Sequence, residues 1–117
     1  MNVHEKPVLN QISADGIRGF IDLLVLYLIR DEPDYGYSIS KRIQLTGENL
    51  YAIKETTLYS AFSRLERNGY VTSFDGGSEN SRRTYYRISD AGRVYYEAKC
   101  REWELTKKVV DAFIAND

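Results

Sequence analysis

The sequence has few of the features that mark membrane or disulfide-stabilised proteins. It contains one cysteine among 117 residues, so no disulfide can form within the chain. The longest apolar run, residues 23–29, is much shorter than the ~20 residues that a helix needs to cross a bilayer. The first 13 residues contain no apolar stretch of signal-peptide length. We therefore expect a cytoplasmic protein that does not contact the membrane.

Catalytic and cofactor motifs are also missing. The sequence has no nucleophile elbow, P-loop or dinucleotide fingerprint. His4 is isolated, and Cys100 has neither a histidine nor a second cysteine near it in sequence, so the spacing of a metal site is absent. The acidic residues on either side of Pro33 are typical of a turn. We expect no enzyme activity, no cofactor and no metal.

The composition indicates one folded domain with an uneven distribution of charge. Hydrophobic residues make up 43% and aromatic residues 13%, which excludes a disordered chain. The net charge is −1, but residues 36–89 hold eight basic and five acidic side chains and therefore carry +3, whereas the rest carries −4. A locally basic middle segment is typical of a nucleic-acid-binding surface.

Hydrophobic periodicity predicts three helices, a β-hairpin and a long last helix. We predict helices at 15–30 (capped by Ser13 or Asp15), 37–46, 55–68 and 90–116, hairpin strands at 70–74 and 82–88, and a short strand at 50–53. Gly47 is predicted to end the second helix as its C′ residue, and Ser89 to cap the last. This order predicts a mainly α protein with a β-hairpin wing, namely a winged helix-turn-helix at 15–89, after an N-terminal segment 1–14 and before a dimerisation helix 90–117.

Two helices have more apolar surface than one small domain can cover. The first is apolar nearly all round, so we expect burial on several sides and a second subunit as its cover. The last is about 40 Å long at ~1.5 Å per residue and carries a wide apolar band. We expect it to form a homodimer through Tyr95, Ala98, Leu105, Val109, Ala112 and Phe113.

Several motifs resemble the PadR family of transcriptional regulators. They are Gly36-Tyr37, Thr57-Leu58-Tyr59, Arg64-Leu65-Glu66, Gly69-Tyr70-Val71 and the run RRTYYRISDAG at 82–92. The match extends in order over residues 21–92, and the single C-terminal helix resembles the short branch of the family. The resemblance implies a repressor that leaves its operator when a small molecule or another signal arrives.

The third helix is the predicted reader of the DNA major groove. Its outward face is small and polar, and arginines near its end are placed for phosphates or guanine. The start of the second helix offers free N–H groups to a phosphate, and two arginines follow the wing turn. The predicted DNA-binding residues are Tyr37, Ser38, Lys41, Lys54, Thr56, Thr57, Tyr59, Ser60, Ser63, Arg64, Arg82 and Arg83. The alternatives are an ordinary solvated helix face, a packing role for Tyr37 and solvated wing arginines.

Trp103 is the predicted ligand-binding residue. Two indoles across a dimer axis would sandwich a planar hydrophobic molecule. The resemblance supports this position, because members of the short branch carry a tryptophan on the last helix. The alternative is a packing role, in the dimer core or against the first helix.

Two classes of function therefore remain open. The first is a homodimeric repressor on a palindromic operator in double-stranded DNA, with a reading helix in each of two major grooves about 34 Å apart. The second is a winged-helix protein-interaction module that does not bind DNA. Within the first class, the signal is a small molecule, a partner protein or oxidation of Cys100.

Overall fold

The computed structural model describes residues 11–78 and 81–114. The elements are α1 (Ala14–Ile17), a 3-10 helix (Arg18–Phe20), α2 (Ile21–Leu28), β1 (Asp34–Tyr35), α3 (Gly36–Thr46), α4 (Glu55–Arg67), β2 (Val71–Ser78), β3 (Ser81–Ile88) and α5 (Asp90–Ile114). The predicted fold class, mainly α with a β wing and a long last helix, is confirmed. The predicted N-terminal segment up to residue 10 and the last turn at 115–117 lie outside the described residues.

The N-terminal helical region is not the single helix that we predicted. Ser13 caps it, since its Oγ accepts a hydrogen bond of 3.0 Å from the Gly16 N–H, which selects one of the two predicted caps. A 3-10 turn then separates α1 from α2. Gly16 and Gly19 both lie in this stretch, and each costs an α-helix about 1 kcal/mol relative to alanine.

The hydrophobic core is built around α2, which packs against α3, α4 and α5. Val25 and Leu26 are completely buried, and Phe62 and Leu65 of α4 are at most 1% exposed. The buried side of α2 is therefore covered by its own chain, whereas Leu23 and Leu24 are half-buried and Tyr27 is exposed. Burial on several sides is thus confirmed, with α5 supplying part of the cover, and a second subunit over the remaining apolar surface stays a prediction.

The sheet is antiparallel with the strand order β1-β3-β2. The strand predicted at 50–53 is absent, and β1 lies instead in the segment predicted as a break, where Asp34 and Tyr35 pair with Tyr86 and Tyr85. The wing is also longer than predicted, because β2 continues through two glycines to Ser78. Pairing with β3 outweighs the turn-forming composition of that segment.

The link between α3 and α4 explains the missing strand at 50–53. Gly47 has an ordinary φ of −84°, so it is not the left-handed C′ residue that we predicted. The left-handed positions are Glu48 and Asn49, with φ of 55° and 63°. This turn is followed by a stretch that belongs to no helix or strand, in which Ile53 is buried in the core.

Ser89 joins the wing to α5. Its Oγ accepts a hydrogen bond of 3.0 Å from the Gly92 N–H, as predicted for a cap, and donates one of 2.6 Å to the Gly69 carbonyl. Gly92 is buried against the Tyr70 backbone. The start of α5 is thereby fixed on the body of the domain, and at ~1.5 Å per residue its 25 residues extend about 37 Å.

Candidate nucleic-acid interface

The predicted reading helix, α4, has two distinct faces. The predicted inward residues Leu58, Phe62 and Leu65 are buried, together with Ala61. Exposed residues occupy the opposite side, and they are Lys54 at the N-cap position, Thr56, Ser60, Ser63 and Arg67. The Lys54 side chain makes no capping hydrogen bond. Small polar side chains on a free face are compatible with close approach to base edges.

The start of α3 presents an aromatic and a cation to solvent. Tyr37 is 68% exposed, so its side chain does not pack in the domain. Lys41 Nζ lies 5.5 Å from the centre of the Tyr37 ring. Ser38 is less available, because its hydroxyl donates a 2.7 Å hydrogen bond to Asp34. That buried carboxylate also pairs with Arg42 at 2.9 Å.

The junction between β1 and α3, Tyr35-Gly36, brings three predicted DNA-binding elements together. The Arg83 guanidinium carbon lies 4.3 Å from the centre of the Tyr35 ring. Gly36 lies directly beneath the Tyr59 hydroxyl of α4, so closely that a Cβ would collide with it. The start of α3, the flank of α4 and the half of the wing nearest its turn therefore meet at two adjacent residues. Arg82 next to this site is exposed.

Aromatic side chains connect this junction to the rest of the wing. The Tyr85 ring lies 5.4 Å from Tyr35 and 5.7 Å from Phe74, and the Arg87 guanidinium lies 4.5 Å from the Phe74 ring. Arg83, Tyr85 and Arg87 alternate along β3 and therefore belong to one face of the strand, and Arg87 was not among the predicted DNA-binding residues. Cation–π contacts at both ends of an aromatic row favour one orientation of the two arginines.

Arg64 forms an ion pair within the chain, and its side chain is 42% exposed. Its guanidinium binds the buried Asp22 carboxylate through both Nε and Nη2, and the Tyr95 hydroxyl donates a 3.1 Å hydrogen bond to the same carboxylate. The hydrogen bond to Asp22 raises the pKa of Arg64. Burial, with the nearby Asp22 charge, raises the pKa of Tyr95 to about 12. Arg64 thus ties the reading helix to α2 and α5.

The predicted dimerisation residues of α5 lie in two environments. Tyr95 packs within its own chain, stacked on Tyr70 at 4.1 Å and bonded to Asp22. The other five are exposed, and they are Ala98, Leu105, Val109, Ala112 and Phe113. They stay predicted interface residues.

Trp103 lies at the outer limit of the contact between α5 and the body. Its ring meets Phe20 edge-on at 5.1 Å and 78°, and the residue is 42% exposed. Within the chain, Trp103 therefore packs against the N-terminal helical region, which was one of the predicted alternatives. Part of the indole remains exposed. The Cys100 thiol forms a hydrogen bond with Tyr96, and burial together with that bond raises the Tyr96 pKa to about 12.

Within residues 11–78 and 81–114, no helix is long and apolar enough to cross a membrane. The same residues hold no cluster of three or more side chains suited to a metal ion.

The chain is similar to known regulators over most of its length. Residues 25–98 match the model of the transcriptional regulator PadR-like family. An uncharacterized protein of Lysinibacillus sphaericus is 38% identical over 104 residues, which cover 88% of this chain and 95% of that protein.

Two solved structures extend the similarity to the fold. A transcriptional regulator from Clostridium thermocellum is 56% identical with a TM-score of 0.81, over 86% of this chain and 98% of that one. A PadR family transcription regulator from Clostridium difficile is 32% identical with a TM-score of 0.70, over 81% of this chain and 98% of that one. The helical body, the wing and the long last helix are therefore shared with proteins described as transcription regulators.

Proposed function

The chain belongs to the PadR-like family of transcriptional regulators, which bind DNA and are not enzymes, and from this premise we propose that it is a homodimeric repressor. In this proposal it acts in the cytoplasm on a palindromic operator. A planar hydrophobic small molecule bound between the subunits releases it from DNA.

The pair of contacts Arg83–Tyr35 and Tyr59–Gly36 at the β1–α3 junction is the observation that carries the DNA-binding part. It aligns three predicted contact regions that are far apart in sequence. A duplex that meets the exposed face of α4 would then also meet Tyr37 with Lys41 on one side and Arg82 with Arg83 on the other. Arg64 enters the proposal as a residue that orients α4, because its guanidinium is bound to Asp22.

A second copy of the chain is the proposed cover for the distal half of α5. The side of α5 that packs on the body continues at heptad spacing through positions 92, 96, 99, 103, 106, 110 and 113. Exposure rises along this side, from the buried Gly92 to Trp103 at 42% and Phe113 at 81%. Leu105 and Val109 add a neighbouring exposed stripe. Apolar surface that extends beyond the body in this way favours helix pairing between subunits.

The ligand part of the proposal depends on Trp103. Its ring contacts Phe20 edge-on, and the residue is 42% exposed. The exposed ring surface is therefore available for stacking a planar molecule. Trp103 is also the only tryptophan in the sequence, so its fluorescence reports directly on this position. Quenching by a planar hydrophobic dye, together with release of bound DNA, would support the role. If Trp103→Ala abolished dimerisation instead, the residue would be a packing residue.

The experiment that tests the proposal is binding to a duplex from the protein's own upstream region at low and moderate salt, with a scrambled duplex as control. We expect sequence preference and steep salt dependence. Arg83→Ala should weaken binding to both duplexes and lower the slope of log K against log salt by about 0.9 for each lost phosphate contact. Arg101→Ala, an exposed arginine on α5, is the matched control. A protein-interaction module would show no salt-dependent duplex binding at all.

A further inference from the structure

A polar cleft of about 450 Å³ lies beside the reading helix, on the side away from the wing junction. Its walls come from the 3-10 turn and the start of α2 on one side and from α4 between Thr56 and Arg64 on the other. The lining residues are Arg18, Gly19, Ile21, Asp22, Thr56, Thr57, Ser60 and Arg64. None of the sequence motifs pointed to the 3-10 turn as part of a site.

The chemistry of this cleft suits an anion. Arg64 and Asp22 neutralise each other within it, so the remaining charge on the lining is the Arg18 guanidinium. Arg18 does contact Asp15 at 2.6 Å, but these two side chains are 74% and 82% exposed. An ion pair in water is worth little and opens readily. The hydroxyl groups of the α4 wall add neutral hydrogen-bond donors opposite the arginine.

The position of the cleft favours the sugar-phosphate backbone of DNA over a free small anion. Thr56 and Ser60 belong both to the cleft and to the exposed face of α4. A duplex whose bases meet that face therefore passes its backbone along the flank of the helix, over the mouth of the cleft. Arginine and hydroxyl side chains are common partners of DNA phosphates.

We propose that this cleft binds one phosphate of the DNA backbone, with Arg18 as the charged contact and the hydroxyls of Thr57 and Ser60 as donors. The interface then extends from the wing across α4 to the N-terminal 3-10 turn. This inference rests on the proposed DNA-binding function. It adds a contact that holds the reading helix from the side opposite the wing.

Arg18 and Gly19 allow two independent tests on folded protein. Arg18→Ala removes the charge from an exposed side chain. At Gly19 a Cβ would meet nothing within 4 Å, so Gly19→Glu places a carboxylate at the cleft without a steric conflict, and Gly19→Ala is its matched control. Circular dichroism and thermal melting first establish that all variants fold like the wild type. Arg101→Ala controls for the loss of any exposed arginine.

The measurement is binding of the labelled upstream duplex across a salt series. We expect Arg18→Ala to weaken binding about tenfold, the typical loss for one hydrogen-bonded charge contact, and to lower the salt slope by about 0.9 per contact. Gly19→Glu should weaken binding at least as much, whereas Gly19→Ala and Arg101→Ala should match the wild type. A duplex series with single neutral methylphosphonate linkages then locates the phosphate. One linkage should weaken the wild type and leave Arg18→Ala unaffected.

The outcomes separate this inference from the proposed function. If the wild type binds no duplex in a salt-dependent way, both are wrong. If the wild type binds while Arg18→Ala and Gly19→Glu keep its affinity and slope, the cleft is not a phosphate site and the proposed function stands. Inorganic phosphate at millimolar concentration is added in a further arm. Competition that depends on Arg18 in the absence of any methylphosphonate effect would assign the cleft to a free anion and overturn the inference.

Discussion

The body of the domain buries its large apolar side chains, whereas the distal half of α5 exposes them. In the body, Phe62 is 1% exposed, stacked on Tyr86 at 3.9 Å and in edge contact with Tyr59. On distal α5, Phe113 is 81% exposed. A phenylalanine thus stabilises the fold of one chain at position 62, whereas at position 113 it exposes apolar surface to water.

The difference shows which part of the chain folds on its own contacts. Every residue of the core cluster lies between Ile21 and Ile88, and α5 joins that core through Tyr95 and Tyr96. Beyond Trp103 the described part of α5 has no buried residue. Stability of the body and association of the helix should therefore respond to different substitutions.

Phe62→Ala should have the largest effect. Removing a fully buried phenylalanine from a close-packed core costs about 3–5 kcal/mol of unfolding free energy. That is a large fraction of the 5–15 kcal/mol that stabilises a typical domain. Urea unfolding followed by circular dichroism at one fixed protein concentration measures the change.

Phe113→Ala is the matched substitution in the other region. We expect it to leave unfolding at low protein concentration nearly unchanged and to reduce the rise of Tm with protein concentration, because linked dimerisation produces that rise. Analytical ultracentrifugation should show weaker association. Equal loss of stability in both variants at every concentration would contradict the separation of the two regions.

Gly92→Ala tests the connection between the body and α5. It should cause the second-largest loss of stability, after Phe62→Ala. A Cβ at Gly92 would collide with the Tyr70 carbonyl oxygen, which belongs to the backbone and also accepts the Ser89 N–H. Overpacking of this kind costs about 1–3 kcal/mol. Thermal melting of both variants measures the change. Gly19→Ala, where the new methyl group meets open space, should be neutral or slightly stabilising in the same experiment. A neutral Gly92→Ala would mean that the start of α5 can shift away from the wing.

Local rules predicted much of the fold from the sequence. Ser13 and Ser89 cap their helices through the side-chain bonds expected of them, and the buried face of α4 follows the helical period. These features depend on residues three or four positions apart. Their energies are therefore readable from short windows of sequence.

Features that depend on distant partners were not predictable in this way. β1 consists of two residues that, among the described residues, pair with β3 alone, some 50 positions later. The turn-like composition around Pro33 gave no indication of this strand. Asp22 meets Arg64 across 42 positions and Tyr95 across 73. The predictions for Arg64 as a DNA contact and Tyr95 as a dimer contact consequently did not include the buried carboxylate that both side chains bind. Arg18 was missed for the same reason, since only the folded chain places it beside α4.

Tyr95→Phe should destabilise the fold less than Phe62→Ala or Gly92→Ala and should show a distinctive pH dependence. It removes the hydroxyl that bonds to Asp22 while keeping the stack on Tyr70. At neutral pH we expect a loss of about 1 kcal/mol, typical of one hydrogen bond. Urea unfolding of the wild type and the variant at pH 7, 9, 10 and 11 provides the measurement.

The sign of the pH effect follows from the raised pKa. Tyr95 titrates at about 12 in the folded chain, above the ordinary tyrosine value of about 10 in the unfolded chain. Its protonated form therefore contributes stability that is fully present below pH 10 and is lost as the pH rises from 10 to 12. The stability difference between wild type and Tyr95→Phe should shrink over that range. Tyr96, whose pKa is also raised to about 12, is present in both proteins and cancels from the comparison. A difference that stays constant up to pH 11 would show that the Tyr95 hydroxyl does not link α5 to the Asp22–Arg64 pair beneath the reading helix.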